Sequence, residues 1–333
     1  MVSKTDQVSI SYQAALHTAA FFKLREAGTL RVEGQDQITF LQRQTTNDIN
    51  LLSPSRSLVT VLVNPAARIL DVLRLSVEGS GLSVLTLPGN GASTAQFLKS
   101  RIFFMDKVSV QDISQEYVQY ELDGPQAGEL LLQLAYDHPP ELDENLVVAF
   151  SGGHLKAIGK RGLNGLGYLL VARVDQASAL QTALRQHGAE ELDEETYTVL
   201  RVEAGIPGVG AELNSHYTPL EAGLDRAVAA DKGCYTGQEI IARQITYDKV
   251  TQHLVGLQLE GIVPSPETLW AEGRAVGTVT SAVVSPAFGP LALAVIKRPF
   301  HNPGTILTAA AKPEVPGVMA TVAMLPFRPQ ATP

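Results

Sequence analysis

The segment DKGCYTGQEIIAR, residues 231–243, carries the only cysteine of the chain, Cys234, directly after Gly233 and two positions after Lys232. Thr236 to Glu239 spell T-x-x-E ahead of an apolar run. That is the pattern of a capping box, in which Thr236 and Glu239 each bind the other's backbone amide as a helix begins. Glu239 and Arg243 then stand four apart on one helix face, in the favourable order. Gly233 and Gly237 permit turns that a side chain would obstruct. Cys234 is expected close to the positive helix end and to Lys232, a setting that favours a thiolate. Two readings stand here: a reactive or ligand-contacting thiol beside an anion site, or a buried cysteine filling a hole in an ordinary turn.

Upstream of this segment, two blocks repeat one order of elements. The first runs strand 29–33, helix 37–46, strands 57–63, 69–77 and 82–87, helix 92–101 and strand 107–111. The second runs strand 116–122, helix 126–135, strands 145–150, 154–158 and 167–173, helix 175–187 and a strand near 189–192. Corresponding elements lie roughly 85 residues apart, which predicts two similarly wound, ferredoxin-like α+β units. Asp36 and Asp175 are read as helix openers and Gly188 as a helix stop. A further helix is expected over 193–203, with Asp193, Glu194 and Glu195 at its positive end and Gly205 and Pro207 ending it.

Past residue 250 the texture changes to short β-rich runs such as RAVGTVTSAVV and PLALAVIK, separated by Pro and Gly. That is the signature of a small antiparallel β-barrel. The fold class is therefore α+β, with expected domains 1–113, 114–248 and 249–333, the first two free to interleave.

A hydrophobic share of 45% with 18% charged residues places the chain among folded globular proteins. The net charge of −8 lacks the broad basic footprint of a nucleic-acid binder, so no direct nucleic-acid partner is expected. One cysteine cannot close an internal disulfide, build a zinc site or hold an iron–sulfur cluster alone, and the 7 histidines are scattered. No metal site is expected. The apolar run near the N-terminus is too short and interrupted for a membrane span, and no leader pattern is evident. The reading is a cytoplasmic protein with no membrane partner.

Three further residues draw attention. In ILDVLRLSV, alternation puts Ile69, Asp71, Leu73, Leu75 and Val77 on one face, so Asp71 is a carboxylate among apolar neighbours. It is either a positioned acid facing a ligand or an acid at a wet strand end. Glu203 ends its helix at the negative pole of the dipole, against preference, which suits either a ligand's donors or simple exposure. Tyr197, earlier on that helix, is a boundary aromatic or a stacking platform.

KGCYTGQEIIAR resembles the signature of the YgfZ folate-binding family, relatives of the glycine-cleavage T-protein, an aminomethyltransferase. FLQRQTTNDI (40–49), LVNPAARILDVLRL (62–75), LRVEAGIP (200–207) and TPLEAGL (218–224) support the resemblance in the right order. It implies three domains around a central opening that binds tetrahydrofolate or a derivative. It also implies a role in assembling or repairing iron–sulfur enzymes, including those that modify tRNA, with partners among assembly or client proteins.

Carried over by position, Glu203 matches a glutamate that holds the pterin amino groups, and Tyr197 an aromatic against folate. Asp71 matches one of two aspartates on its strand. The resemblance implies Cys234 as the functional thiol, with Lys232, Gly233 and Tyr235 at the folate and Thr236, Gly237, Glu239 and Arg243 shaping the turn. T-proteins carry Gly-Gly where this chain has Ala67 and Arg68, and a second aspartate where it has Val72. They also lack the cysteine motif, and Arg43 stands where glycine is common. The paired carboxylate of a methylene-transfer site is thus incomplete, leaving Asp71 as the candidate base. Three functions follow: a folate-binding protein of iron–sulfur assembly acting through Cys234, a folate-dependent aminomethyltransferase or demethylase using Asp71, or a non-catalytic adaptor.

Overall fold

The computed structural model describes residues 4–329. A first antiparallel sheet has the order Leu58–Val63, Ile69–Glu78, Gly81–Thr86, Gly28–Glu33, Ser109–Asp112. Leu30, Val32, Leu73, Leu75, Leu82 and Val84 line one of its faces. They are covered by Phe40 and Leu41 of the helix Gln37–Gln44 and by Ala95 and Leu98 of the helix Gly91–Ser100. Alternation along each strand sends one side-chain set to those helices and leaves the other face for the second sheet.

The second sheet runs Glu190–Glu191, Ala20–Leu24, Tyr117–Asp123, Gly165–Arg173, Gly153–Gly162, Asn145–Phe150. Tyr120, Leu122, Leu155 and Leu170 form its helix-facing core with Leu130, Leu131, Leu180 and Leu184. The sheets interleave, because Ala20–Leu24 pairs with Tyr117–Asp123 and, in parallel, with Glu190–Glu191. The unhelixed faces of the two sheets meet through Leu85 against Ile158, Leu169 and Val171. Gln119 Nε2 ties them by donating to Gly28 O at 3.0 Å, and Lys156 Nζ by pairing with Glu78 at 2.6 Å.

Residues from Gln252 onward close a six-stranded antiparallel barrel around Leu257, Leu269, Val279, Ala294 and Ile296. The expected α+β class with a terminal barrel is what the chain adopts. Two N-terminal elements, the helix Lys4–His17 and the strand Ala20–Leu24, were not legible in the sequence.

Several expected helix ends differ. Asp193 does cap its helix, accepting from Thr196 N at 2.7 Å, and Gly188 ends another at φ +87°. Asp36 does stand at the N-cap position of Gln37–Gln44, but its side chain makes no cap bond, since its carboxylate accepts from the Lys107 amide instead. Asp175 lies inside a 3₁₀ turn, Val174–Gln176, that precedes the helix Ala177–Gln186. No helix of the described residues is long and apolar enough to cross a membrane.

Candidate functional site

The KGCYTGQE loop lies over the Thr45–Asn47 corner and the turn between the first sheet's opening strands. Its helix, Gln238–Thr246, starts from Gly237 and not from a capping box. Gly237 adopts φ +80°, and a Cβ there would fall 2.9 Å from the Asn64 carbonyl oxygen, so glycine is required. Thr236 is held by its backbone, whose N–H donates to Arg43 O at 3.4 Å. Glu239 and Arg243 are exposed and form no ion pair among the described residues. Gly233 is exposed, and a Cβ there would meet nothing within 4 Å.

Lys232 does not accompany the thiol. It is buried, and its ammonium donates to Thr45 O at 2.7 Å and Asn47 O at 2.6 Å, 5.0 Å from the Tyr235 ring centre. Burial pushes its pKa down to about 8. Tyr235 packs with Ala67, Leu220 and Ile241. Lys232 and Tyr235 therefore anchor the loop, and Cys234 is left exposed at its outer edge. That removes the alternative of a buried cysteine filling a hole.

Asp71 is fully buried, not at a wet strand end. The register slips between Leu62 and Val63, opposite Asp71 and Ile69, so a bulge breaks the expected alternation. Ile69 packs with Val72 beside Val61, Val63 and Leu213, whereas Leu73 and Leu75 face the helices. Asp71 Oδ1 accepts from Val72 N, Leu87 N and Asn90 Nδ2, and Oδ2 from Thr94 Oγ1 at 2.6 Å. It fastens the start of the helix Gly91–Ser100 to its strand. Burial raises its pKa to about 6 against the pull of these donors.

Glu203 and Tyr197 share the helix Glu194–Glu203 but reach different surroundings. Glu203 accepts from Tyr12 OH at 2.8 Å, Ser285 Oγ at 2.5 Å and Arg328 Nη2 at 3.3 Å. Its carboxylate is thus spent on joining the N-terminal helix, the barrel and the C-terminal segment. Tyr197 stacks on Phe22, with ring centres 4.0 Å apart, and donates to Glu121 Oε2 at 3.1 Å.

Glu121 begins a set of charged residues not singled out from the sequence. On Tyr117–Asp123, Tyr120 and Leu122 face the helices, so Gln119, Glu121 and Asp123 face the first sheet. Lys156 and Lys160 do the same from Gly153–Gly162. Lys160 Nζ lies 3.0 Å from Glu121 Oε2, and burial holds Asp123 beside it above the usual carboxylate range. Arg74 enters from the first sheet, donating to Asp143 Oδ1 at 2.9 Å and Ser57 Oγ at 3.0 Å. Glu121 Oε2 takes both Tyr197 and Lys160, while no donor among the described residues reaches Oε1, and the side chain stays 14% exposed. The signal in the sequence is polar residues collected on one strand face, Gln119, Glu121 and Asp123 in YVQYELD and Lys156 and Lys160 in LKAIGK, where a strand buried on both faces would be apolar.

Among the described residues no cluster of three or more His, Cys, Asp or Glu side chains is placed to hold a metal. The arrangement is an α+β body with a cluster of charged side chains between its sheets, a separate exposed thiol loop, and a barrel fastened to the body through Ser281 and Ser285. Family profiles give that architecture a name. The GCVT N-terminal domain matches residues 3–232, and the glycine cleavage T-protein C-terminal barrel domain matches 252–328. The chain belongs to the glycine cleavage T-protein family.

A putative chloroplastic transferase of Arabidopsis thaliana is 28% identical over 312 residues, covering 91% of this chain and 70% of that protein. An aminomethyltransferase of Bacillus subtilis is 26% identical over 333 residues, covering 95% and 89%. The crystal structure of the glycine cleavage system aminomethyltransferase T from Bartonella henselae superposes with a TM-score of 0.85. It is 23% identical and covers 98% of this chain and 90% of that one, a likeness of fold.

Proposed function

We propose that this chain is a tetrahydrofolate-binding protein of the YgfZ type. It supports assembly or repair of iron–sulfur clusters through Cys234, and tRNA modification depends on it only indirectly. The observation that carries the folate reading is the Glu121 carboxylate, pinned through Oε2 by Tyr197 and Lys160 with Oε1 left unpaired and partly exposed. A pterin edge offers adjacent N–H donors, and a carboxylate accepts them without needing donors of its own. Family membership supports the same ligand. Glu121 thereby takes the role that the resemblance assigns to Glu203, whose carboxylate is already spent within the protein.

Bound folate would supply the one-carbon chemistry. The chain's own residues hold it: Glu121 binds, and Lys160 and Tyr197 orient that carboxylate. The KGCYTGQE loop serves a different step. Lys232 and Tyr235 fix its backbone, so Cys234 is presented outward on a rigid support, as a thiol offered to a partner requires. One thiolate is not a cluster site, so the remaining ligands belong to the partner.

Family membership also supports a second reading, folate-dependent aminomethyl transfer. Asp71 suits the base in that reaction poorly, because four donors hold it beneath a helix.

The thiol is tested in cells that lack the chain, complemented with wild type or Cys234→Ala. Cys234→Ala is expected to accumulate and bind tetrahydrofolate as wild type does. Iron–sulfur enzyme activity should meanwhile stay at the level of cells without the chain. Full restoration by Cys234→Ala would remove the thiol from the function and leave the adaptor or transferase readings.

A further inference from the structure

Residues 101–107, RIFFMDK, follow the helix Gly91–Ser100 as a turn whose apex holds three adjacent large apolar side chains in the open. Phe103 is 66% exposed, Phe104 98% and Met105 73%. Isolated exposed apolar residues need no explanation, but three in a row on one projecting turn do.

The turn is firmly built. Ile102 and Val108 on either side pack against the core of the first unit. Asp106 accepts from the Phe103 amide at 2.9 Å and from Arg43 Nη2 through both oxygens, at 2.8 and 2.9 Å. The Asp106 amide in turn donates to Phe103 O at 2.9 Å. The Arg43 guanidinium sits 5.9 Å from the Phe103 ring centre. Phe103 is thus satisfied at both backbone polar groups, which lowers the penalty for moving the apex out of water.

Charge surrounds the apex. Lys99, Arg101 and Lys107 are exposed, and among the described residues none of them forms an ion pair. Lys107 Nζ donates to Gln35 Oε1, and Arg101 lies 4.9 Å from the Phe97 ring centre. The nearby acids are turned inward, Asp106 onto Arg43 and Asp36 onto the Lys107 amide. Three exposed cations therefore flank an apolar apex in a chain of net charge −8.

We propose that this turn docks the protein on an anionic lipid surface. Phe103, Phe104 and Met105 enter the acyl boundary while Lys99, Arg101 and Lys107 meet the headgroup phosphates. The charge complementarity selects an anionic occupant. The projecting apex, with Phe103 hydrogen-bonded at both backbone polar groups, favours lipid over a flat protein partner. Binding of this kind is reversible and weakens with salt.

The test is co-sedimentation of the full chain with vesicles of phosphatidylcholine alone and of an equimolar mixture with phosphatidylglycerol. Wild type is expected to sediment with the mixed vesicles only, and less as salt is raised. Phe104→Asp is expected to reduce that binding by about tenfold or more, and Arg101→Glu to weaken it as well. Phe104 makes no contact that folding needs, so Phe104→Asp should keep the wild-type unfolding midpoint. The proposal is overturned by wild type staying in solution with both vesicles, or by Phe104→Asp or Arg101→Glu binding as wild type does. It is equally overturned if the turn instead joins two copies, seen as a dimer that Phe104→Asp dissociates without vesicles present.

Discussion

Glu212→Ala should destabilise the chain by about 3–5 kcal/mol, the range for stripping the partner from a buried charge. Glu212 is fully buried and accepts from Gly208 N at 2.7 Å, Ser281 Oγ at 2.8 Å and Arg201 Nη1 at 3.4 Å. Arg201, itself 8% exposed, also donates to Ile206 O at 2.7 Å and Ser281 Oγ at 3.0 Å. Without the carboxylate, a guanidinium, a hydroxyl and an amide lose an acceptor in a closed space. Ser281 belongs to the barrel and Arg201 to the helix Glu194–Glu203, so the loss falls at the joint between barrel and body. A urea melt should show the midpoint falling for Glu212→Ala and far less for Glu212→Gln, which keeps an acceptor. A loss below about 1 kcal/mol would put the pair in the class of solvated ion pairs.

The second large effect concerns Asp71 and has a sign that depends on pH. Its folded pKa of about 6 lies above its ordinary 3.8, with burial as the cause. Between those values the folded chain holds a proton that the unfolded chain has released. Stability from this group is therefore complete below about pH 4 and lost as pH rises through about 6. A shift of that size corresponds to about 3 kcal/mol. Burial shifts Asp123 in the same direction. Asp71→Asn should thus flatten part of the slope between about pH 4 and pH 7, and leave the part due to Asp123. Asp71→Ala strands four donors and should lose about 3 kcal/mol or more at either pH. Urea midpoints across that range read both effects. An unchanged slope in Asp71→Asn would assign the titration to another group.

Most elements were legible because local pattern suffices for them. LRVE, SLVTVLV and ILDVLRLSV read as strands by composition and alternation, and the Pro- and Gly-punctuated runs after residue 250 read as a barrel. AALHTAAFFKL lacks such punctuation, and the partners of Ala20–Leu24 lie about a hundred or more residues away at Tyr117–Asp123 and Glu190–Glu191. That is why the helix and strand there escaped notice. The side-chain cap bonds expected of Asp36 and Thr236 do not form, for a related reason. A capping pattern says which bonds are possible, while the Lys107 amide, 71 positions on, took the Asp36 carboxylate.

The site divides the same way. The motif around Cys234 was legible as chemistry, whereas the exposure of the thiol is visible only in the fold. Lys232 was not, because its target carbonyl at Thr45 is 187 positions away. Alternation put Asp71 on the face of Leu73 and Leu75, but not the helix above it, whose Thr94 lies 23 positions away. The Glu121, Lys160 and Tyr197 group needs three separate elements to converge, and a single strand shows only polar residues on one of its faces.

The most direct test of the account is an anaerobic calorimetric titration of the reduced chain with tetrahydrofolate. Wild type, Glu121→Gln and Cys234→Ala are compared. Wild type and Cys234→Ala are expected to bind alike, and Glu121→Gln to bind about tenfold or more weakly, since a charge-assisted pair is lost. Equal binding by Glu121→Gln would move the ligand away from the Glu121, Lys160 and Tyr197 group. No heat from wild type, with no displacement by another folate, would contradict the folate reading itself.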